Sequence, residues 1–468
     1  MKKQKTRFLD KLSLEVLFVI IATVFGLLMV FINPPWQTND EDRHFLAAYS
    51  ISVGQIIPFN SNNVASVYYP KNLINCVLNF QGVPFFNGTK INPGKMKEME
   101  KIQLNPKDTI AAPHYHYRTF PLSYLPHTIG IWIGSFFKNT PLWLGWFGRI
   151  GGLIFYIVSM FFIIRFVPVF KSIFFLYGLT PMVLYQASSV TYDTVSMVCC
   201  FFMVGFSLKF AFDENSFIGW REIIFYLFVA TLSGAIKNGY PLIPLMIFIV
   251  PIRKFRMKEY YKFVGPLLGI YLLSIYSYNI FSLGWSAVLS SVNTGGQVSL
   301  WKDFGAGNTV SLLLSNPFKL IITMFQNIFH FSIEWAGGTI GRFGYGYILM
   351  PRWFFLIHGI VLIGVAFIES NSDLNFKLYQ RILIIFIGVG SIFAIIFGMY
   401  LGSPAGSIMI FGLQGRYFIQ AVPVLLLSFF NIQLINRKWI NLKNLIIPAY
   451  IIIILIYTVM FMNNSFYG

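Results

Sequence analysis

Long apolar runs separated by short basic loops constrain this chain more than any motif does. The run from Leu14 to Ile32 is, at about 20 residues, long enough to cross a bilayer as a helix. It exceeds a signal-peptide core, and Asn33-Pro34-Pro35-Trp36 follows it where a cleavage site would carry small residues. Residues 13–33 therefore read as an uncleaved first span. The preceding tail, residues 1–12, holds Lys2, Lys3, Lys5, Arg7 and Lys11, which predicts a cytoplasmic N-terminus. Further spans are expected near 143–164, 172–188, 194–212, 222–236, 240–252, 263–282, 353–369, 382–401, 417–435 and 445–462. With the first they make about eleven, an all-α polytopic membrane protein.

Composition closes the other classes. The chain is 56% hydrophobic and only 11% charged, where a soluble domain carries roughly 25% charged residues. A soluble fold this apolar cannot cover its surface, and a disordered chain is more polar. The 35 Lys and Arg against 17 Asp and Glu leave a net charge of +18. Nucleic-acid binders gather such charge on a polar surface, whereas here it lies between apolar runs, so the partner is the lipid bilayer and no nucleic acid is expected. Cys76, Cys199 and Cys200 show neither zinc spacing nor a disulfide framework. The sequence contains no Walker loop, dinucleotide fingerprint or Gly-x-Ser-x-Gly elbow.

Residues 34–142 form the long first extracytoplasmic loop, carrying amphipathic, interfacial segments. Phe120 to Phe137 is one of them, because Pro121, Pro126 and His127 interrupt it. Residues 143–282 hold transmembrane helices, 283–352 an extracytoplasmic or interfacial segment, and 353–468 the C-terminal helices. Phe318 to Phe331 is apolar, but a crossing there would put Lys377, Arg381, Arg437, Lys438 and Lys443 outside. Placed in the interface, it leaves them inside with Arg165, Lys171 and the cluster from Arg253 to Lys262. The C-terminus is then outside.

With this topology Asp40, Glu41, His44, Arg149, Asp193, Lys237, Glu334, Arg342 and Arg416 fall at outer span ends or in outward segments. Thr38-x-x-Glu41 is a capping box, yet Asp40, Glu41 and Asp42 are more acids than a cap needs. Asp40 and His44 share a helix face, and a carboxylate here can act as general base toward an incoming hydroxyl. A divalent metal on Asp40 or Glu41 with His44 stays open, on spacing alone; no cofactor is otherwise indicated. Asp193 opens a span as a cap or as a site residue, and Lys237 ends one, where snorkelling alone accounts for it. His114 and His116 suit an aromatic belt or a polar substrate. Arg416, with Tyr417 beside it, precedes a span, where the helix dipole disfavours a cation. A bound anion reverses that sign, and an ion pair to Asp40 or Asp193 is the alternative. The stretch Glu334 to Gly346 holds glycines, aromatics and Arg342, which suits stacking on a sugar or a re-entrant turn.

These residues form an ordered set. Asp40-Glu41-x-x-His44-Phe45 before Ala48-Tyr49 and Gly54 is followed by Tyr124-Leu125-Pro126, Gly148-Arg149-Ile150, Ser189 with Tyr192-Asp193, and Ala235-x-Lys237-x-x-Tyr240. Gly338-x-x-Gly341 before Pro351 and Gln414-Gly415-Arg416-Tyr417-Phe418 before Pro423 complete it. The set resembles the bacterial domain-of-unknown-function 2142 family of integral membrane proteins, grouped with GT-C-type glycosyltransferases. The resemblance implies a GT-C-like fold with a long first outer loop in a bacterial cell membrane. It also implies a polyprenyl-phosphate-linked sugar donor and a base early in that loop, at Asp40 with Glu41 next. Asn39 stands where the family pattern has proline, and the acidic run continues to Asp42, so the choice among the three acids is open.

The function expected is therefore an inverting membrane glycosyltransferase. Asp40 or Glu41 is the catalytic base, and His44, Arg149, Asp193, Lys237, Arg342, Arg416 and Tyr417 bind substrate. The acceptor is a cell-surface glycan or glycopolymer. A lipid-linked-sugar flippase or transporter needs charges at mid-span instead, and a polysaccharide polymerase or ligase shares the donor without needing the acidic motif.

Overall fold

A computed structural model of the chain describes residues 13–61, 64–81, 90–114, 119–236, 240–256, 269, 317–369, 375–401, 403, 407–430 and 443–468. The tail 1–12, His116, Lys237, the span near 263–282 apart from residue 269, and Arg437-Lys438 lie outside these residues. Within them the apolar runs form helices, the one open structure that bonds its backbone internally in hydrocarbon. Among the described residues five helices are long and apolar enough to cross a membrane: α1 (Leu14–Ile32) and, numbered in chain order with those given below, α6 (Pro141–Phe166), α9 (Asp193–Phe212), α13 (Leu378–Leu401) and α15 (Lys443–Phe466).

Several expected spans are shorter or broken. The span at 172–188 is two helices, α7 (Lys171–Gly178) and α8 (Pro181–Ala187), because Thr180 takes the extended backbone that a following proline favours. The stretch at 240–252 is mostly a 3₁₀ helix, Ile243–Ile249, and 417–435 opens with a 3₁₀ turn, Gly415–Phe418, before α14 (Val422–Leu427). Helices α10 (Trp220–Ile236) and α12 (Arg352–Ile368) have 17 residues each. The segment expected in the interface is a 25-residue helix, α11 (Pro317–Gly341). It is tied to the segment after α13 twice: Asn327 bonds Ile408 and Ile410, and Gly338 meets Gly415.

The all-α expectation needs one correction, in the segments expected to face outward. The first loop contains α2 (Glu41–Ser52), α3 (Lys71–Gln81), α4 (Pro93–Met99) and α5 (Leu125–Phe137), but also an antiparallel sheet of β1 (Phe59–Ser61), β2 (Val64–Pro70) and β3 (Thr109–Pro113). The β-branched and aromatic residues of Val64-Ala65-Ser66-Val67-Tyr68-Tyr69 suit a half-buried strand, with Val67 and Tyr69 buried and Tyr68 exposed. A small hairpin, β4 (Arg342–Phe343) with β5 (Ile348–Leu349), follows α11.

Opposite ends of the bundle differ in character. At one, Glu369 accepts bonds from the backbone of Ser172 and Ile173, Lys254 donates to the carbonyls of Asp213 and Glu214, and Phe376 packs on Phe212 and Phe430. The loops carrying Arg165, Lys171, Arg253 and Lys377 thus share that end. At the other, α15 finishes against the first loop, with Phe466 accepting from the Ile91 amide and Lys90 donating to the Asn464 carbonyl. Helix α5 lies across the start of α6, where a Cβ on Gly130 or Gly151 would come within 2.2 or 2.3 Å of a backbone oxygen. Only glycine permits that approach.

Candidate functional site

The site is built where α1 ends and the chain turns into α2. Trp36 and Asp40 both adopt left-handed backbone, at φ 57° and 60°, and Asp40 is the N-cap residue of α2. A non-glycine residue held there costs of order 1–3 kcal/mol, so the surroundings must enforce it.

Arg149 enforces it from below. From α6 its Nε and Nη2 donate to the two oxygens of Glu41 at 2.7 and 2.6 Å, and its remaining N–H groups donate to the carbonyls of Val30, Asn33 and Pro34. Glu41 also accepts from the amides of Val190 and Thr38. Thr38 in turn bonds Ser189 at 2.7 Å and Asn33 at 3.0 Å. The capping box is therefore half made: Glu41 reaches back to the Thr38 amide, while the Thr38 hydroxyl braces α1 and α8.

This geometry bears on two expectations. Arg149 is 2% exposed and all five of its N–H donors are occupied, which leaves none for a substrate. Glu41 is 1% exposed with both oxygens engaged, which suits a brace and not a base. Asp40, next to it, points outward with 41% of its side chain exposed and lies 3.3 Å from Arg416 Nη2.

Arg416 arrives from the far end of the sequence. Gly415 is pressed against Gly338 of α11, where a Cβ would sit 2.5 Å from the Gly338 Cα, so the two glycines bring the 3₁₀ turn against that helix. Asn39 then clasps it, donating to Gln414 Oε1 at 3.0 Å and accepting from Arg416 Nη1 at its carbonyl, 3.3 Å away. The guanidinium is buried and lies over the Tyr417 ring, 5.3 Å from its centroid. Burial works against its charge, but Tyr417, Asp193, Asp40 and Tyr192 outweigh that and hold its pKa above the usual value. Its Nε has no hydrogen-bond partner among the described residues.

Around this pair the aromatic groups close in. His44 Nδ1 is 2.7 Å from the Tyr124 hydroxyl, and its ring meets Tyr192 edge-on at 4.7 Å. Tyr345 donates to Asp42 at 3.0 Å. Burial, then the charge of Asp42, pushes the Tyr345 phenol well up, so it stays a neutral donor. Asp193 begins α9 buried, beside Tyr192. A cleft of about 200 Å³ opens over Arg416, lined by Asn39, Met182, Glu334, Arg342, Tyr345 and Gln414 among others. Arg342 pairs with Glu334 at its wall and donates to the Gly346 carbonyl at 2.6 Å.

The structure thus brings together Asp40, His44, Asp193, Arg342, Arg416 and Tyr417, with Lys237 outside the described residues. His114 is elsewhere, bonded to Ser50, and burial pushes its pKa down to about 4. Among the described residues no three His, Cys, Asp or Glu side chains are grouped to hold a metal ion. Sequence reasoning did not single out Asn39, Tyr124 or Tyr345 as site residues. Their signal is weak, since an aromatic at a membrane boundary is common.

A family model described as "Predicted membrane protein (DUF2142)" matches residues 23–425. No curated protein and no solved structure matches the chain.

Proposed function

The chain belongs to the DUF2142 family of predicted membrane proteins, and from that premise we propose that it is an inverting glycosyltransferase of GT-C type. It moves a sugar from a polyprenyl-phosphate carrier to a surface glycan on the outer face of a bacterial cell membrane. The observation that carries this reading is the pairing of an exposed carboxylate, Asp40, with a buried guanidinium, Arg416, that keeps an unpartnered N–H. Shared location of the basic loops at the end opposite this pair supports the orientation, with the N-terminus inside and the C-terminus outside.

In the reaction, the acceptor oxygen attacks the anomeric carbon as its proton passes to the Asp40 carboxylate. The bond from that carbon to the phosphate oxygen breaks, and its electron pair stays on the lipid phosphate. Arg416 neutralises the charge that grows there, with Lys237 assigned the same role from the sequence. The phosphate competes with Asp40 for Arg416, so donor binding frees the carboxylate to accept the proton.

The test is transfer by the purified chain in nanodiscs from polyprenyl-phosphate sugars to glycan acceptors, read as release of free polyprenyl phosphate. Arg416→Ala is expected to weaken donor binding about ten- to a hundredfold, the size of a charge-assisted hydrogen bond. Arg416→Lys restores the charge without the planar fork and should recover only part of it. Unchanged donor affinity in both variants removes Arg416 from the phosphate site.

A further inference from the structure

By its residue types the stretch from Glu334 to Gly346 suits a sugar-stacking surface or a bare turn, and the structure makes it the wall of a space. Glu334 near the end of α11, Arg342 and Tyr345 all line the cleft of about 200 Å³ over Arg416, with Asn39 and Gln414. At about 30 Å³ per water the cleft holds roughly six or seven waters, which is room for one sugar ring and not for two. Gly346 and Gly412 also line it, in left-handed backbone at φ 91° and 71°, and put no side chain into it.

The polar groups of this lining are only partly used. Arg342 donates from Nε to the Gly346 carbonyl and from Nη1 to Glu334, which leaves its Nη2. The second oxygen of Glu334 has no partner among the described residues. Asn39 donates to Gln414 Oε1, which leaves Asn39 Oδ1 as an acceptor and Gln414 Nε2 as a donor, both without partners there. Arg416 Nε is a further donor of this kind. Spare donors and acceptors thus belong to the lining of one small cleft, together with one aromatic ring, Tyr345, whose hydroxyl is held by Asp42.

We propose that this cleft is the subsite for the hexose ring of the lipid-linked donor, with Tyr345 as its stacking face and Glu334, Arg342 and Gln414 as its polar edge. The chemistry selects the ligand. A prenyl chain neither donates nor accepts, and a second phosphate would meet the charge of Glu334. The hydroxyls of a sugar both donate and accept, and its C–H face packs on an aromatic ring. Arg416 selects the donor's sugar over the acceptor's, because it lines the same cleft and is assigned the donor phosphate, whose oxygen carries the anomeric carbon. Asp40, the assigned base, lies against that guanidinium at 3.3 Å. The inference deepens the glycosyltransferase reading and rests on it for the identity of the donor.

The experiment compares Glu334→Ala, Tyr345→Leu and Tyr345→Phe with wild type in nanodiscs. Three kinds of probe are titrated, each sugar as glucose, galactose and mannose: polyprenyl phosphate, polyprenyl-phosphate hexose and the uncharged methyl hexoside. Thermal unfolding is measured alongside. Glu334→Ala is expected to lose about tenfold or more in affinity for both hexose-bearing probes, the size of a hydrogen bond to a charged group. Tyr345→Leu should lose about three- to tenfold, and Tyr345→Phe, which keeps the ring, should stay within twofold. Affinity for polyprenyl phosphate should not change. The chain should stay folded in Glu334→Ala, because its ion pair with Arg342 is one-third to nearly one-half exposed and contributes little stability. Hexose affinities within twofold of wild type in Glu334→Ala and Tyr345→Leu, or a wild-type chain that binds no hexose probe, overturn the subsite. So does a fall in all affinities together with the melting temperature, since the residues are then structural. Tyr345→Phe falling as far as Tyr345→Leu overturns the stacking face, because the bond to Asp42 then accounts for the loss. A fall for the methyl hexoside without one for polyprenyl-phosphate hexose puts the acceptor's sugar in the cleft and overturns the donor assignment. Wild-type binding of polyprenyl phosphate no tighter than of polyprenol overturns the phosphate-carrier reading instead, and the methyl hexoside still decides the subsite.

Discussion

Asp40→Asn is expected to lower sugar transfer about 10²–10⁴-fold, the usual contribution of a positioned general base, while leaving the protein folded. The prediction is sharp because asparagine keeps everything except the charge. It tolerates left-handed backbone as well as aspartate does, and it serves equally at an N-cap. Asp40 has 41% of its side chain exposed and its nearest charged partner is Arg416 at 3.3 Å, so little stability depends on it. Donor affinity should hold or rise, because the competing carboxylate on Arg416 is gone. Transfer rate and donor affinity, measured on one preparation, therefore move apart. Asp42→Asn gives the control: Asp42 is buried and accepts from Tyr345, so its loss should disturb the wall of the cleft more than the chemistry. If Asp40→Asn transfers at the wild-type rate and Asp42→Asn does not, the base is Asp42.

The membrane class was legible because it depends on features local to the chain. A run such as Leu14–Ile32 declares a span by length alone, and basic residues around Arg165 and Arg253 declare an end. The acids at Asp40, Glu41 and Asp42 announced themselves by number. What could not be read is how three adjacent carboxylates differ in burial and partners. That depends on Arg149, more than a hundred residues away, arriving beside Glu41 and not beside Asp40. The β2 sheet was missed for a similar reason, since its strands pair across a loop that composition marks only as polar. Broken spans such as Thr180-Pro181 carry their signal in one proline, and hydropathy over a window averages it away.

Gln186, whose buried side-chain amide has no hydrogen-bond partner among the described residues, was passed over because a lone glutamine in an apolar run has no pattern. Its significance lies in what surrounds it, and an unpaired amide is visible only once the neighbours are placed. Arg416 stood out earlier because a cation at a helix start contradicts a local rule. Residues that break local rules can be found in a sequence; residues whose partners are missing need coordinates.

Arg149→Met is expected to destabilise the protein by about 3–5 kcal/mol, the cost of breaking a buried ion pair from one side. It strands Glu41 in a site where both partners are at most 2% exposed, and it also orphans the carbonyls of Val30, Asn33 and Pro34. Glu41→Gln should cost less, because Arg149 keeps those three carbonyls and the Val190 amide keeps an oxygen to bond. The double variant removes the stranded charge, so its loss should be smaller than the sum, with a coupling of about 0.5–3 kcal/mol. Thermal or denaturant unfolding of the four proteins measures the cycle. The same variants separate bracing from catalysis. If Glu41 only fixes the turn that presents Asp40, Glu41→Gln keeps substantial transfer at a temperature where it is folded, and its activity follows its stability. A fully folded Glu41→Gln that loses as much transfer as Asp40→Asn would give the proton to Glu41, and the ion pair with Arg149 would then have to open during turnover.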